Sequence, residues 1–349
     1  MVKVLLWPFS LLYGVVTFIR NKFFDWGILP VHSFDIPVIS VGNLNTGGTG
    51  KTPHVEYLIR LLKQDYRVAV LSRGYKRSTS GFVLADKNAT AGSLGDEPFQ
   101  YFTKFNDIQV AVDEKRVRGI KKLLDVDNPP EVILLDDAFQ HRYVKPGFSV
   151  LLTDFYNLYP NDLVLPAGSL REFKSGAKRA DLIMVTKSPK VLSPFTYRRI
   201  NGLIKPAPHQ QLMFSYLRHG KLRAFPDHSF SPMKKSQYSE ILLVAGIANP
   251  YPLEAHLRDK ANRVTTLKFK DHHDFTPADV EKIIETFDGI FVKNKVIVTT
   301  EKDMVRFRKK EIFSLIKDLP ICYIPVEIKI HSTFAAKFEQ QILKYVGEN

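Results

Sequence analysis

The run Gly48-Thr49-Gly50-Lys51-Thr52 carries the residue types of a phosphate-binding loop. Glycines let backbone N–H groups converge on phosphate oxygens, the lysine reaches the β- and γ-phosphates, and the following threonine hydroxyl ligates Mg²⁺. On this reading Asn45, Thr46, Gly47, Gly48, Thr49, Gly50, Lys51 and Thr52 hold the nucleotide. The usual pattern has glycine where this chain has Asn45, and asparagine tolerates the left-handed backbone better than most residues. The plainer alternative is a glycine turn that only joins a strand to a helix. A second group favours phosphate chemistry. Val132-Ile133-Leu134-Leu135 runs into Asp136 and Asp137, and an acid at a strand's carboxyl end holds Mg²⁺ or its water. Thr186-Lys187-Ser188-Pro189 lacks the acid by which guanine is read, so ATP is the expected nucleotide.

These groups need a sheet to carry them. Val38 to Val41 is apolar and largely β-branched, as suits a strand buried in a parallel sheet. After the loop, Val55, Leu58, Ile59 and Leu62 recur at helical spacing, and Pro53 sits where a helix start tolerates it. Further strands are expected at Val68 to Arg73, Ser149 to Asp154 and Leu182 to Lys187. The pattern is that of an α/β fold, a mostly parallel sheet flanked by helices in the manner of P-loop NTPases. Ile241 to Ala245, Val264 to Leu267 and Val296 to Thr299, with a helix over Asp279 to Phe287, read as a smaller C-terminal α/β domain. The expected division is residues 1–28, a core over 29–210, a linker or hairpin over 211–235, and the C-terminal domain over 236–349.

Hydrophobic residues make up 44% of the 349, enough for a sizeable core and against wholesale disorder. The single cysteine, Cys322, excludes an intrachain disulfide and a cysteine-based metal site; its apolar surroundings mark it as a core residue. The net charge of +14 admits nucleic acid, an anionic membrane surface or a phosphorylated substrate as partner. No nucleic-acid motif with a mechanism behind it is present, so nucleic acid is not expected, nor is an obligate protein partner. Val4 to Ile19 carries no charge, with Arg20, Lys22 and the aromatics Phe23, Phe24 and Trp26 after it. The run is shorter than the roughly 20 residues that span a bilayer. A signal peptide, a buried core helix and a helix lying in the membrane interface compete for it. The basic balance and interfacial aromatics favour the last.

Several separate motifs in this order resemble the tetraacyldisaccharide 4′-kinase family. They are Gly42-Asn43-Leu44 with Gly47 to Pro53, Ser72-Arg73-Gly74-Tyr75, Gly95-Asp96-Glu97-Pro98, and Asp136-Asp137-Ala138-Phe139-Gln140-His141. Leu165-Pro166-Ala167-Gly168-Ser169-Leu170-Arg171-Glu172, Phe269-Lys270-Asp271-His272-His273 and Thr299-Thr300-Glu301-Lys302-Asp303 extend the likeness across nearly the whole chain. Ala138 stands where the family usually has glycine, and Ser169 where it has proline. The resemblance implies transfer of the γ-phosphate of ATP to the 4′-hydroxyl of a tetraacylated glucosamine disaccharide 1-phosphate. It places the enzyme on the cytoplasmic face of the Gram-negative inner membrane.

Phosphoryl transfer needs positioning, charge neutralisation and a group to accept the hydroxyl proton. The resemblance puts that base at Asp96 and pairs it with His272. Lys51 and Thr52 serve the nucleotide phosphates and Mg²⁺, with Asp136 and Asp137 as candidates for the metal or its water shell. Arg171 is expected to neutralise phosphate charge and Glu172 to join the metal site; a local surface ion pair is the alternative for these two. Arg73 and Arg116 are weaker phosphate or substrate candidates. A P-loop kinase of another lipid or sugar, and a membrane-associated ATPase switch, are the competing functions.

Overall fold

The computed structural model describes residues 2–226, 232, 238–247, 249–271 and 273–348, with backbone alone at 2–4. The strands are β1 Val38–Asn43, β2 Val68–Ser72, β3 Val83–Leu84, β4 Gln109–Val112, β5 Val132–Asp136, β6 Phe148–Asp154, β7 Leu182–Thr186, β8 Gln211–His219, β9 Arg223–Phe225, β10 Tyr238–Ala245, β11 Ala261–Lys268, β12 Lys295–Thr300, β13 Ile321–Ile324 and β14 Val326–Ile330. The helices are α1 Val2–Asp25, α2 Lys51–Leu62, α3 Ala91–Leu94, α4 Asp96–Lys104, α5 Arg116–Leu124, α6 Pro194–Ile204, α7 Tyr251–Arg258, α8 Pro277–Asp288, α9 Glu301–Phe307, α10 Lys310–Ile316 and α11 Ser332–Gly347.

The chain divides into two compact units, Met1–Leu217 with Ile328–Asn349, and Arg218–Glu327. The first holds a sheet in the order β14-β8-β7-β6-β1-β5-β2-β4-β3. From β8 to β4 the pairing is parallel, and β3 closes the edge antiparallel to β4. Alternate residues of a strand serve opposite faces. Ile39 and Val41 pack with Val55, Leu58, Ile59 and Leu62 of α2 and with Phe338, Ile342 and Val346 of α11. Val38, Ile133 and Leu135 pack on the other side with Ile120 and Leu123 of α5. Burial on both faces is why β5 reads as an unbroken apolar run until Asp136.

The second unit holds a sheet in the order β11-β10-β12-β13-β9, parallel except for β9. Cys322 is fully buried in its core among Leu243, Val298 and Ile324. The motif Thr299 to Asp303 has local work. The Thr300 hydroxyl caps α9 by accepting from Asp303 N at 3.0 Å, and the Asp303 carboxylate accepts from Gly246 N at 2.9 Å and Arg306 Nη1 at 2.9 Å.

This division differs from the linear one expected from residues 210 and 235. Gln211 onward is a strand of the first sheet, with Met213 and Phe214 buried, so the first unit runs on to Leu217. The chain then returns to it, because the apolar face of α11 completes the core over α2. The rest of the expected linker lies, apart from residues 220–226 and 232, outside the described residues.

Helix α1 is inverted relative to a core helix. Its buried positions are Ser10, Gly14 and Phe24, with Leu6, Thr17, Asn21 and Lys22 half-buried, a stripe at helical spacing that is small and polar between Leu6 and Phe24. Gly14 admits the Phe173 ring so closely that a Cβ there would lie 2.5 Å from Phe173 Cζ. Ala167 N donates to Ser10 Oγ at 2.8 Å. Leu5, Trp7, Phe9, Leu12, Val16 and Ile19 are all exposed. Among the described residues, no helix is long and apolar enough to cross a membrane.

Candidate active site

The phosphate loop leaves the carboxyl end of β1, and its neighbour β5 ends in register with it, Val41 opposite Asp136. Ligands of open α/β sheets bind outside such strand ends. Gly47 and Gly50 take positive φ, +116° and +85°, and Gly50 is the N-cap of α2. A Cβ at Gly47 or Gly48 would meet nothing within 4 Å, so this face of the loop is open. The Asn45 side chain is tied to the segment behind the loop. Its amide donates to Asp162 Oδ2 at 2.9 Å and to Ser169 Oγ at 3.1 Å, and its backbone bridges to Leu170. Thr46 N donates to Ser169 O at 2.7 Å, and Arg171 N to Leu44 O at 2.7 Å. The serine at 169 thus ties the loop to the segment that carries Arg171.

At the loop's mouth Lys51 Nζ lies 3.3 Å from Asn43 Oδ1 and 3.6 Å from Asp137 Oδ1. Arg171 grips Asp137 with both terminal nitrogens, at 3.0 and 3.2 Å. Burial would raise the Asp137 carboxyl, but Lys51 and Arg171 outweigh it and hold it below the usual aspartate value. Asp136 goes the other way: burial, with the Asp137 charge beside it, pushes it up to about 7. Tyr101 Oη donates to Asp136 Oδ2 at 3.3 Å and also hydrogen-bonds with Thr52. The sequence therefore brought Lys51, Thr52, Asp136, Asp137 and Arg171 to one place.

The donor set fits Mg²⁺. Asp136 Oδ1 and Thr49 Oγ1 are buried and have no hydrogen-bond partner among the described residues. Hard oxygen donors suit this cation, which takes one or two carboxylates and completes its shell with substrate phosphates and water. That agrees with the absence, among the described residues, of a preassembled cluster of acidic, histidine or cysteine ligands.

Comparison with known proteins decides the family. Residues 2–346 match the tetraacyldisaccharide-1-P 4′-kinase family. The chain is 48% identical to the tetraacyldisaccharide 4′-kinase of Bacteroides thetaiotaomicron, over 99% of this chain and 93% of that one. It is 47% identical to the enzyme so named from Flavobacterium johnsoniae, over 100% and 98%. The chain belongs to this family. Its fold is similar to that of LpxK from Aquifex aeolicus, solved in complex with ATP, with a TM-score of 0.75 at 27% identity, covering 99% of this chain and 100% of that one. It is an ATP-dependent kinase of lipid A biosynthesis that acts on a lipid disaccharide phosphate.

The 4′-kinase has features that its sequence did not announce. Glu172, expected at the metal, accepts instead from Asn21 of α1 at 2.7 Å, Arg179 at 2.8 Å and Gln140 at 3.2 Å. Both of its oxygens accept these bonds, which fasten α1 to the site. Gln140 spans from Asn43 O at 2.8 Å to Arg171 Nη1 at 3.3 Å. Tyr13 Oη donates to Arg171 O at 3.2 Å. No sequence signal joins Asn21 or Tyr13 to residues so distant in the chain.

Asp96 opens α4, the helix that brings Tyr101 to Asp136 and Thr52. His272 lies outside the described residues. Beside the acids stands a cationic group. Burial and the charges of Arg116, Arg20 and Arg73 depress His141 to about 4. Arg73 is exposed, whereas Arg116 is buried and donates to Asp113 O and Asp136 O.

Proposed function

We propose that this 4′-kinase transfers the γ-phosphate of ATP to the 4′-hydroxyl of a tetraacyldisaccharide 1-phosphate, giving lipid IVA, with its donor site at Lys51, Asp137 and Arg171. The bidentate Arg171–Asp137 pair beside Lys51, at the mouth of an open glycine loop, carries this reading. The backbone of Gly47 to Thr52 cradles the phosphates, and Lys51 and Arg171 meet the charge that spreads over the γ-phosphoryl oxygens. Thr52 and Asp136 would hold Mg²⁺, with Asp137 a further candidate for the metal or its water. An ion held there would supply charge neutralisation to the nucleotide phosphates. Asp96 accepts the 4′-hydroxyl proton, a role in which the family resemblance also enlists His272. The hydroxyl oxygen bonds to the γ-phosphorus as the bond to the bridging oxygen breaks, and ADP leaves. Arg20, Arg73 and Arg116 favour an anionic acceptor nearby. With labelled ATP and the tetraacyldisaccharide monophosphate, thin-layer chromatography should show label in the lipid. Label found only in inorganic phosphate would point to an ATPase switch and sink the kinase assignment.

The exposed apolar face of α1, flanked by Arg20 and Lys22, supports interfacial docking on the cytoplasmic leaflet of a Gram-negative inner membrane. No nucleic acid or obligate protein partner enters this scheme. The chain's two tryptophans are both reporters of this region: Trp7 is 56% and Trp26 66% exposed. Anionic vesicles should blue-shift their fluorescence, and deletion of residues 1–22 should abolish co-sedimentation. An unshifted spectrum with vesicles in excess would count against docking through α1.

A further inference from the structure

His54 has no part in the scheme above, yet it is 4% exposed and uses both ring nitrogens. Nδ1 lies 2.7 Å from Gly50 O, and Nε2 lies 2.9 Å from Ser215 Oγ. A carbonyl oxygen only accepts, so Nδ1 carries the proton. Nε2 is then an acceptor, and the Ser215 hydroxyl donates to it. Gly50 is the left-handed residue just before Lys51, and no side chain caps α2 there. The other hydrogen bond to its carbonyl, from His54 N, is long at 3.4 Å. The ring is therefore its main restraint.

The polar row continues. Ser215 O accepts from Ser188 N and from Ser188 Oγ, each at 3.0 Å. Ser188 Oγ also hydrogen-bonds His331 Nε2, at 2.8 Å. Ser215 lies on β8 near Leu217, where the chain leaves the first unit, and His331 follows β14, by which it has returned.

We propose that His54 is a positioning residue for phosphate binding: its Nδ1–H fixes the Gly50 carbonyl, and with it the aim of the loop's N–H groups and Lys51. Ser215, Ser188 and His331 fasten this clamp to the strands by which the chain leaves and re-enters the unit. The inference deepens the kinase reading and rests on it, but its test needs no acceptor. Asparagine places an N–H near that of Nδ1, whereas glutamine reaches toward Ser215 and leaves Gly50 O. Isothermal titration with MgATP should show a dissociation constant raised about tenfold, the worth of one hydrogen bond, in His54→Gln and His54→Ala. His54→Asn should stay within about twofold of the unchanged protein. Thermal melting of each variant reports the folding cost separately. Equal affinity in all, or affinities in Asn and Gln variants that fall together with melting temperature, overturns the clamp. If the alanine variant does not fold, the Asn–Gln pair decides. Failure of the unchanged protein to bind MgATP overturns the kinase reading instead.

Discussion

Asp96→Asn lowers kcat roughly 10²–10⁴-fold, the usual worth of a positioned base, while MgATP binds with nearly unchanged affinity. The substitution keeps the size of the side chain and removes only its capacity to take the hydroxyl proton. Asp96 begins α4, and α4 is bonded into the phosphate site through Tyr101, which touches Asp136 and Thr52. The proposed nucleotide contacts lie instead on the loop and α2. Turnover and nucleotide affinity therefore separate. Single-turnover phosphorylation of the lipid, measured beside MgATP titration, checks this. A variant with near-normal kcat removes Asp96 as the base, and one that loses both properties makes it a structural residue.

Arg171→Ala lowers kcat by about 10³-fold or more, on the scale of arginines that meet transferring phosphoryl charge. Arg171→Lys recovers little of this, because a point charge replaces a fork that grips two oxygens at once. A pH signature accompanies the loss. Asp137 is held below its usual value by Lys51 and Arg171 against burial, so its ionised form stabilises the fold. That contribution is present above the unfolded aspartate value and disappears as pH falls through the folded one. The alanine variant should therefore melt lower than the unchanged protein near neutral pH, with the difference closing in acid. A gap in melting temperature that persists unchanged into acid would assign Arg171 a packing role instead.

Glu172 shows where residue type stops being informative. A carboxylate two positions beyond Leu170 in a glycine-containing loop fits a metal shell as well as an ion pair. What settles its surroundings is Asn21, which approaches from a helix at the other end of the kinase core's sequence. The same holds for Asn45, which the loop pattern assigns to phosphate. Its amide is taken by Asp162 and Ser169, so it braces the loop from behind. The linear division at residue 210 failed for a related reason. Composition at the Pro206 to Pro208 turn marks a local break, whereas the return of α11 to α2 is a long-range packing event that leaves no mark nearby.

The sequence by itself determined the parallel sheet, the glycine loop, the acids at the end of β5 and the apolar helix at the start. Each rests on a local cause: a buried strand must be apolar, a phosphate cradle needs backbone without side chains, and strand polarity puts both ends of the motif on one edge. The tertiary structure decided that Arg171 pairs with Asp137 and that Glu172 ties down α1. It also decided that α1 packs by its polar stripe and that His54 clamps Gly50. Those contacts join residues far apart in the chain. Their partners are chosen by the packing of whole helices and strands, and no spacing within a single segment encodes them.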